Sequence, residues 1–148
     1  KKELIVTAGG KKIAPQYIEG LLKTIPLISQ ACVYGDTKPY VVALLTLNPD
    51  AVAVWARDHE ISYAAIADVY AMPAFRASLD SRIAHTNEKL ASYETVKYYD
   101  VLTDDFTVEN DLLTPTLKIR RKQIYARYHD RFESLYRPTP DALPHDAS

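Results

Sequence analysis

The sequence lacks the features that would set it apart from ordinary globular domains. It has one cysteine in 148 residues, which excludes an internal disulfide. Cys32 lies in an apolar run, so we predict that it is a small buried core residue in a reducing compartment. No apolar run approaches the ~20 residues of a membrane span, and we find no signal peptide. These absences favour a cytoplasmic domain, either free or peripheral at the membrane surface.

No charge of one sign dominates the chain. It carries 18 Lys and Arg against 19 Asp and Glu, a formal net charge of -1. Nonspecific nucleic-acid binding needs a large positive field, so we predict no nucleic-acid partner. An anion site in this chain must therefore be formed by a local group of basic side chains and not by the net charge. The four histidines show no metal-ligand spacing with acids or cysteine, so we predict surface histidines and no metal site.

Apolar patterning predicts an α+β domain with short helices and an antiparallel sheet. Two short strands flank Gly9 and Gly10, which is the usual signature of a hairpin, and an isolated hairpin must pack on something, such as a partner domain. Longer strands are expected over 25–34 and 40–47 as an antiparallel pair, with a third over 93–102. Helices are expected over 15–24, 51–59, 62–70, 73–91 and from Lys118 to 136.

Several side chains have predicted places in these elements. Tyr17, Ile18, Leu21 and Leu22 are expected to form the buried apolar stripe of the first helix. Asp50 is a candidate cap of the second helix, and Trp55 is predicted to be a core anchor.

The segment Leu113-Thr114-Pro115-Thr116-Leu117-Lys118-Ile119-Arg120-Arg121 has the clearest chemical potential. A polar turn made rigid by Pro115 leads into an amphipathic run, so Lys118 is predicted on a loop or in a first helical turn, where its ammonium could meet a phosphate. A plain solvated face is the alternative. A second alternative is an independent anion-binding or interaction module that uses Lys118, Arg120, Arg121 and Lys122. A third alternative is a scaffold that docks through the hairpin.

Two stretches, 106–121 and 2–15, together resemble the AMP-forming acyl-CoA synthetases of the adenylate-forming family, in their long-chain fatty acid branch. The resemblance implies the C-terminal domain of a long-chain fatty acid–CoA ligase, with a small three-stranded sheet flanked by helices and a hairpin at one edge. Such a ligase joins a fatty acid to ATP, giving acyl-AMP, and then transfers the acyl group to coenzyme A. Another acyl-adenylate-forming enzyme is the alternative.

The resemblance also implies roles for individual residues. Lys118 is the expected catalytic residue, which reaches the phosphate and carboxylate of the forming acyl-adenylate. Gly9, Gly10 and Lys11 are expected to bind coenzyme A, and Lys2 is the expected hinge about which the domain swings. Asp111 departs from the pattern, because these sequences usually carry glycine there. We expect Asp111 to make the turn nonetheless, since aspartate tolerates left-handed backbone.

The domain boundaries follow from the same resemblance. Residues 1–136 are expected to form the mobile C-terminal domain, and the proline-rich segment 137–148 a disordered tail. A strand-like run follows Lys1 after only two more residues, which indicates a domain taken from a longer chain. An N-terminal adenylation domain of that parent chain is then the expected partner, and it would bind ATP, Mg²⁺ and the fatty acid.

Overall fold

The structure of the chain is a computed structural model that describes residues 3–137. Predictions for Lys2 and for residues 138–148 of the tail therefore lie outside the described residues. Within the described part, two small sheets and six α-helices confirm the α+β class. None of these helices is long and apolar enough to cross a membrane.

The hairpin consists of β1 (Ile5–Val6) and β2 (Lys12–Ile13), paired antiparallel. It packs on its own domain. Ile5 and Ile13 are buried in the core, while backbone bonds of 2.8 and 2.9 Å tie the hairpin to the turn over residues 35–39. The hairpin therefore does not need a partner domain for its support.

The main sheet has the order β3 (Ile28–Tyr34), β4 (Val41–Leu47), β5 (Val96–Leu102). β3 and β4 are antiparallel, as predicted, but β5 runs parallel to β4, so the expectation of a wholly antiparallel sheet is wrong. The reason is the connection. The segment between β4 and β5 is long enough to carry the chain back across the sheet before β5 begins.

The helices largely follow the predicted periodicity. They are α1 (Pro15–Leu22), α2 (Pro49–Asp58), α3 (Ile66–Tyr70), α4 (Pro73–Asn87), α5 (Arg121–Arg127) and α6 (His129–Ser134), with a 3₁₀ turn at Ser92–Glu94. Three of them begin with proline, which suits a first helical position because it needs no N–H partner.

Three details of the helices differ from the predictions. Asn48, not Asp50, caps α2, because its side chain accepts the free amides of Asp50 and Ala51. Tyr17 is 53% exposed, and Glu19 takes a buried position on α1 in its place. The predicted final helix is two helices, because Tyr128 leaves helical geometry between α5 and α6.

Helices cover both faces of the sheet. β4 is buried throughout, and its residues alternate between two apolar clusters. Val41, Ala43 and Leu45 face the cluster formed with α1 to α4 and the hairpin, including Trp55 as predicted. Val42 and Leu44 face the cluster that holds α5, α6 and the chain before them, from Phe106 to Leu113. The second cluster is the base on which the segment containing Lys118 rests.

Candidate functional site

Residues 113–119, called here the Lys118 loop, form a small closed loop held by short-range bonds. Leu113 and Ile119 make an antiparallel bridge at its base. The amide of Thr114 donates to the carbonyl of Lys118 at 2.8 Å, and the amide of Lys118 donates to Oγ1 of Thr114 at 3.1 Å. Because α5 begins only at Arg121, Lys118 lies on the loop and not in a first helical turn.

A tight turn precedes this loop and fixes where it starts. Thr107 and Asn110 each donate a backbone amide to the other's side chain at 2.9 Å, and Leu112 and Leu113 are buried. Asp111 has φ 69°, so the left-handed backbone expected at this position is confirmed. Asp111 also pairs with Arg120, which brings the turn and the end of the loop together.

Leu117, directly before Lys118, is the second residue with left-handed backbone in this region. Its φ is 67°, a conformation that costs energy for any side chain with a Cβ, and its side chain is 60% exposed. Its amide donates to the carbonyl of Thr114 at 2.8 Å, which closes the turn. Strained backbone of this kind persists only where the surroundings fix it, and it is common beside functional groups.

Lys118 borders a pocket of about 290 Å³. Its ammonium is exposed and has no hydrogen-bond or ion-pair partner among residues 3–137. Eleven residues line the pocket: Glu3, Gln16, Glu19, Gly20, Lys23, Gln30, Ala31, Leu117, Lys118, Ile119 and Arg121. The arrangement places an unpaired cation on a fixed loop at the rim of a partly charged pocket, where it can act on an anionic ligand.

Three charged residues of this pocket, Glu3, Glu19 and Arg121, form a cluster called here the Arg121 clasp, in which Glu19 and Arg121 are buried and Glu3 is exposed. Nη2 of Arg121 lies 2.9 Å from Glu19 Oε1 and 3.0 Å from Glu3 Oε1, and Nη1 donates to Glu19 Oε2. Glu19 Oε2 also accepts the amide of Val33 at 2.8 Å. Glu19 therefore covers a free N–H on the edge strand β3 and joins α1 to α5 through Arg121.

The two carboxylates of the clasp differ in their electrostatics. Burial raises the pKa of Glu19 above its ordinary value, although hydrogen bonds from Arg121 oppose that shift. A hydrogen bond from Arg121 holds the pKa of Glu3 below its ordinary value. Arg121 itself is 7% exposed and paired, so the interpretation of Lys118, Arg120, Arg121 and Lys122 as one free cationic surface is wrong.

The three residues predicted to bind coenzyme A lie together at the turn of the hairpin. Gly10 has φ 85°, and a Cβ added there would meet no heavy atom within 4 Å. Glycine is therefore favoured by backbone conformation and not by crowding. Gly9 has no such constraint, and Nζ of Lys11 lies 5.3 Å from the centre of the Tyr93 ring.

The predicted site residues thus fall into two groups. Lys118 lines its pocket with Glu3 and Arg121, whereas Gly9, Gly10 and Lys11 lie at the hairpin turn and do not line that pocket. The clasp was not predicted from the sequence. The signal for it was Glu19, a carboxylate at a buried position between Ile18 and Leu22, since a buried charge requires a partner.

Cysteine and histidine provide no further site in the described part of the chain. Cys32 is buried, as predicted, and burial raises the pKa of its thiol well above the ordinary value, so it is unreactive. His59, His85 and His129 are exposed, and residues 3–137 hold no group of three His, Cys, Asp or Glu able to bind a metal ion.

Sequence comparison connects these features to known proteins. The chain is 38% identical over 137 residues to the long-chain-fatty-acid–CoA ligase FadD15 of Mycobacterium tuberculosis, which covers 92% of this chain and 23% of that protein. It is 31% identical over 140 residues to long chain acyl-CoA synthetase 1 of Arabidopsis thaliana, covering 93% of this chain and 21% of the relative. The chain therefore spans about a quarter of the length of these curated relatives.

Solved structures with the same fold include parts of carboxylic acid reductases. The A-PCP didomain of the Segniliparus rugosus enzyme, in complex with AMP, matches with a TM-score of 0.72 and 27% identity, over 92% of this chain and 17% of that one. The adenylation domain of a Mycobacterium chelonae carboxylate reductase matches with a TM-score of 0.73 and 25% identity, over 91% and 19%.

A family match covers almost the whole chain. The sequence profile of the AMP-binding enzyme C-terminal domain matches residues 2–139, which include the hairpin, the sheet and the Lys118 loop. The curated relatives named above are acyl-CoA ligases and synthetases, matched over the same extent of this chain. This chain belongs to the AMP-binding enzyme C-terminal domain family.

Proposed function

We propose that the chain is the C-terminal domain of a long-chain fatty acid–CoA ligase, in which Lys118 is catalytic for the adenylation step. The parent enzyme would activate a fatty acid with ATP to acyl-AMP and transfer the acyl group to coenzyme A in the cytoplasm, as part of lipid metabolism. One observation carries the proposal: Lys118 presents an unpaired ammonium from a fixed loop at the rim of a pocket. The 38% identity to FadD15 supports the substrate class.

The chemistry suits a lysine at this place. Attack of a carboxylate on an α-phosphate brings two anions together, and a fixed ammonium near both stabilises the transition state more than the separated reactants. Lysine supplies this charge as a compact ammonium. The loop contributes by holding the ammonium in place before the reactants meet.

The remaining groups belong to other parts of the proposed enzyme. ATP, the fatty acid and Mg²⁺ would be bound mainly by the N-terminal adenylation domain of the same parent chain. The described residues of this chain offer no cluster suited to a metal ion, and we assign no step through one here. Coenzyme A would pass the hairpin turn at Gly9, Gly10 and Lys11 during the second step, when the domain has swung about Lys2.

Expression of the 148-residue chain alone tests whether acyl-CoA formation requires the proposed N-terminal domain. Supplied with ATP, Mg²⁺, fatty acid and coenzyme A, the folded chain should form no acyl-CoA, because it lacks the proposed pockets for ATP and fatty acid. The full-length parent protein should form acyl-CoA under the same conditions. Activity of the chain alone would show that the domain boundaries proposed here are wrong.

A second candidate is the corresponding domain of a carboxylic acid reductase, which the TM-scores of 0.72 and 0.73 favour. Both candidates form an acyl-adenylate, so adenylation does not separate them. Mass spectrometry of the full-length protein's products does: a ligase should release acyl-CoA in a manner that depends on added coenzyme A. Adenylate formation without any coenzyme A-dependent product would favour the reductase.

A further inference from the structure

The Arg121 clasp connects three parts of the domain that are far apart in sequence. Arg121 follows Lys118 by three residues and begins α5, Glu19 lies on α1, and Glu3 lies at the first described residue. Glu3 directly follows Lys2, the residue predicted as the hinge. All three members of the clasp line the same pocket as Lys118. The clasp thus adjoins the Lys118 loop and includes the residue that follows the predicted hinge in the sequence.

The two contacts of Arg121 differ in how firmly they hold. Glu19 is buried, accepts from both terminal nitrogens of Arg121 and also accepts the Val33 amide. The side chain of Glu3 is 42% exposed and accepts from Nη2 of Arg121 through one oxygen, which it shares with Gln16 at 3.3 Å. Buried, multiply bonded pairs are strongly destabilising to break, whereas exposed pairs contribute little to stability.

We propose that Arg121 is a positioning residue for Lys118, held permanently by Glu19 and reversibly by Glu3, so that the alignment of the Lys118 loop depends on the position of the hinge segment. This inference rests on the proposed function, because it assigns the clasp to the adenylation step. When Glu3 lies on Arg121, the loop is braced and Lys118 is aligned. When the hinge segment moves and Glu3 leaves, Glu19 still keeps Arg121 folded but the brace is lost.

The loop is well suited to respond to such a brace. Hydrogen bonds near its ends tie it to the rest of the domain: the Leu113 amide donates to the Thr107 carbonyl at 3.0 Å, the Arg120 amide donates to the Leu112 carbonyl at 2.8 Å, and Arg121 enters the clasp. Between those ties, Leu117 holds a strained conformation. A small shift of Arg121 would therefore move the backbone of Lys118 without unfolding the domain.

The test uses the full-length enzyme and measures the two half-reactions separately. Adenylation is followed by pyrophosphate release, and thioester formation is started from preformed acyl-adenylate. The variants are Arg121→Lys, which keeps the charge but loses the bidentate fork, and Glu3→Gln, which removes the negative charge from the reversible contact at a partly exposed position. Glu60→Gln, at an exposed turn after α2, is the matched control for loss of one carboxylate.

The inference predicts an unequal effect on the two steps. Arg121→Lys should lower kcat for adenylation roughly tenfold with KM for ATP nearly unchanged, and Glu3→Gln about threefold, since each removes alignment and not substrate binding. Thioester formation should stay within about twofold of the parent rate in both variants. Glu60→Gln should match the parent in both steps, and melting curves of Glu3→Gln should match as well.

Each other outcome contradicts the inference in a distinguishable way. Equal losses in both half-reactions would show that the clasp only holds the fold. Parent-like adenylation in Glu3→Gln would show that the contact to the hinge segment has no role, even if Arg121→Lys fails to fold. Lys118→Ala is measured in parallel: parent-like adenylation in that variant would overturn the proposed function itself, and the inference with it.

Discussion

The Lys118 loop and the hairpin turn at Gly9 and Gly10 each contain a residue with positive φ, but the two are stabilised in different ways. Both must present backbone with positive φ, 67° at Leu117 and 85° at Gly10. The hairpin uses glycine, for which this conformation is cheap, and rests on the neighbouring turn over 35–39. The Lys118 loop uses leucine and is held by its own backbone bonds and by the Arg121 clasp.

The hairpin turn and the Lys118 loop also rest on different apolar clusters of the domain. The hairpin belongs to the cluster with α1 to α4, and the Lys118 loop rests on the cluster with α5 and α6. Gly9, Gly10 and Lys11 do not line the pocket that Lys118 borders. In the proposed enzyme this separation lets one domain serve two steps in turn by rotating between them.

The largest expected effect comes from removing the ammonium. Lys118→Ala in the full-length enzyme should lower adenylate formation by roughly 10²–10³, the scale typical of deleting one preorganised electrostatic contact. Lys118→Arg should restore little, because a planar fork does not replace a compact point charge. Lys122→Ala, an exposed lysine on α5, is the control and should match the parent in a pyrophosphate-release assay.

Replacing Gly10 by leucine would place a residue with a Cβ at positive φ in the hairpin, as Leu117 does in the Lys118 loop. Gly10→Leu should slow thioester formation roughly tenfold and leave adenylation near the parent rate, because the side chain strains the turn and adds bulk where coenzyme A is expected to pass. Gly10→Ala separates the two causes, since it adds the strain with little bulk. Equal losses in both half-reactions would contradict a specific role for the hairpin.

Acid should weaken the support of the hairpin. Nζ of Lys38, in the turn over 35–39, lies 2.7 Å from Glu133 Oε1, and hydrogen bonds from Lys38 and Tyr34 hold the pKa of Glu133 below its ordinary value. The contribution of this carboxylate to stability is therefore complete above its unfolded pKa and is lost as pH falls through the lower folded pKa.

Denaturant titrations of the 148-residue chain at pH 6 and below pH 4 measure that contribution. Glu133→Gln should lower the free energy of unfolding at pH 6 by about 1 kcal/mol, after allowance for partial exposure of the pair. It should also reduce the further loss on acidification relative to the parent. An identical pH dependence in parent and variant would show that Glu133 does not support the turn.

Replacing Leu117 by glycine makes the Lys118 loop resemble the hairpin. Since the Leu117 side chain is largely exposed, Leu117→Gly should change the free energy of unfolding by only about 0.5 kcal/mol, as relief of strain offsets the entropy gained by the unfolded chain. Amide exchange at Lys118, whose N–H bonds Thr114, should nevertheless become faster. Unchanged exchange would show that Leu117 does not contribute to the rigidity of the loop.

Much of this architecture could be predicted from local patterns. The glycine turn located the hairpin and apolar runs located β3 and β4, while apolar periodicity located α4, because burial on one helix face leaves a signature in neighbouring residues. The left-handed turn at Asp111 was predictable from the short polar side chains of Asn110 and Asp111. The direction of β5 was not, since a strand's own sequence does not specify whether its neighbour runs parallel.

The Arg121 clasp could not be predicted from local sequence patterns. Arg121 stands 118 residues from Glu3 and 102 from Glu19. In the sequence it follows another arginine and precedes a lysine, which is the pattern of a solvated face. Only the packing of α1 and α5 beside the edge strand β3 buries it. Long-range charge pairs of this kind depend on the tertiary fold and leave at most an indirect trace, here the carboxylate of Glu19 on a buried face.

The most direct test of two sites acting in turn is the rate at which full-length Lys118→Ala makes acyl-CoA from preformed acyl-adenylate. If Lys118 serves only the phosphate during adenylation, this rate should stay near that of the parent enzyme while adenylation is severely reduced. If thioester formation falls as far as adenylation, Lys118 supports the structure of the domain, and the separation of the two sites proposed here is wrong.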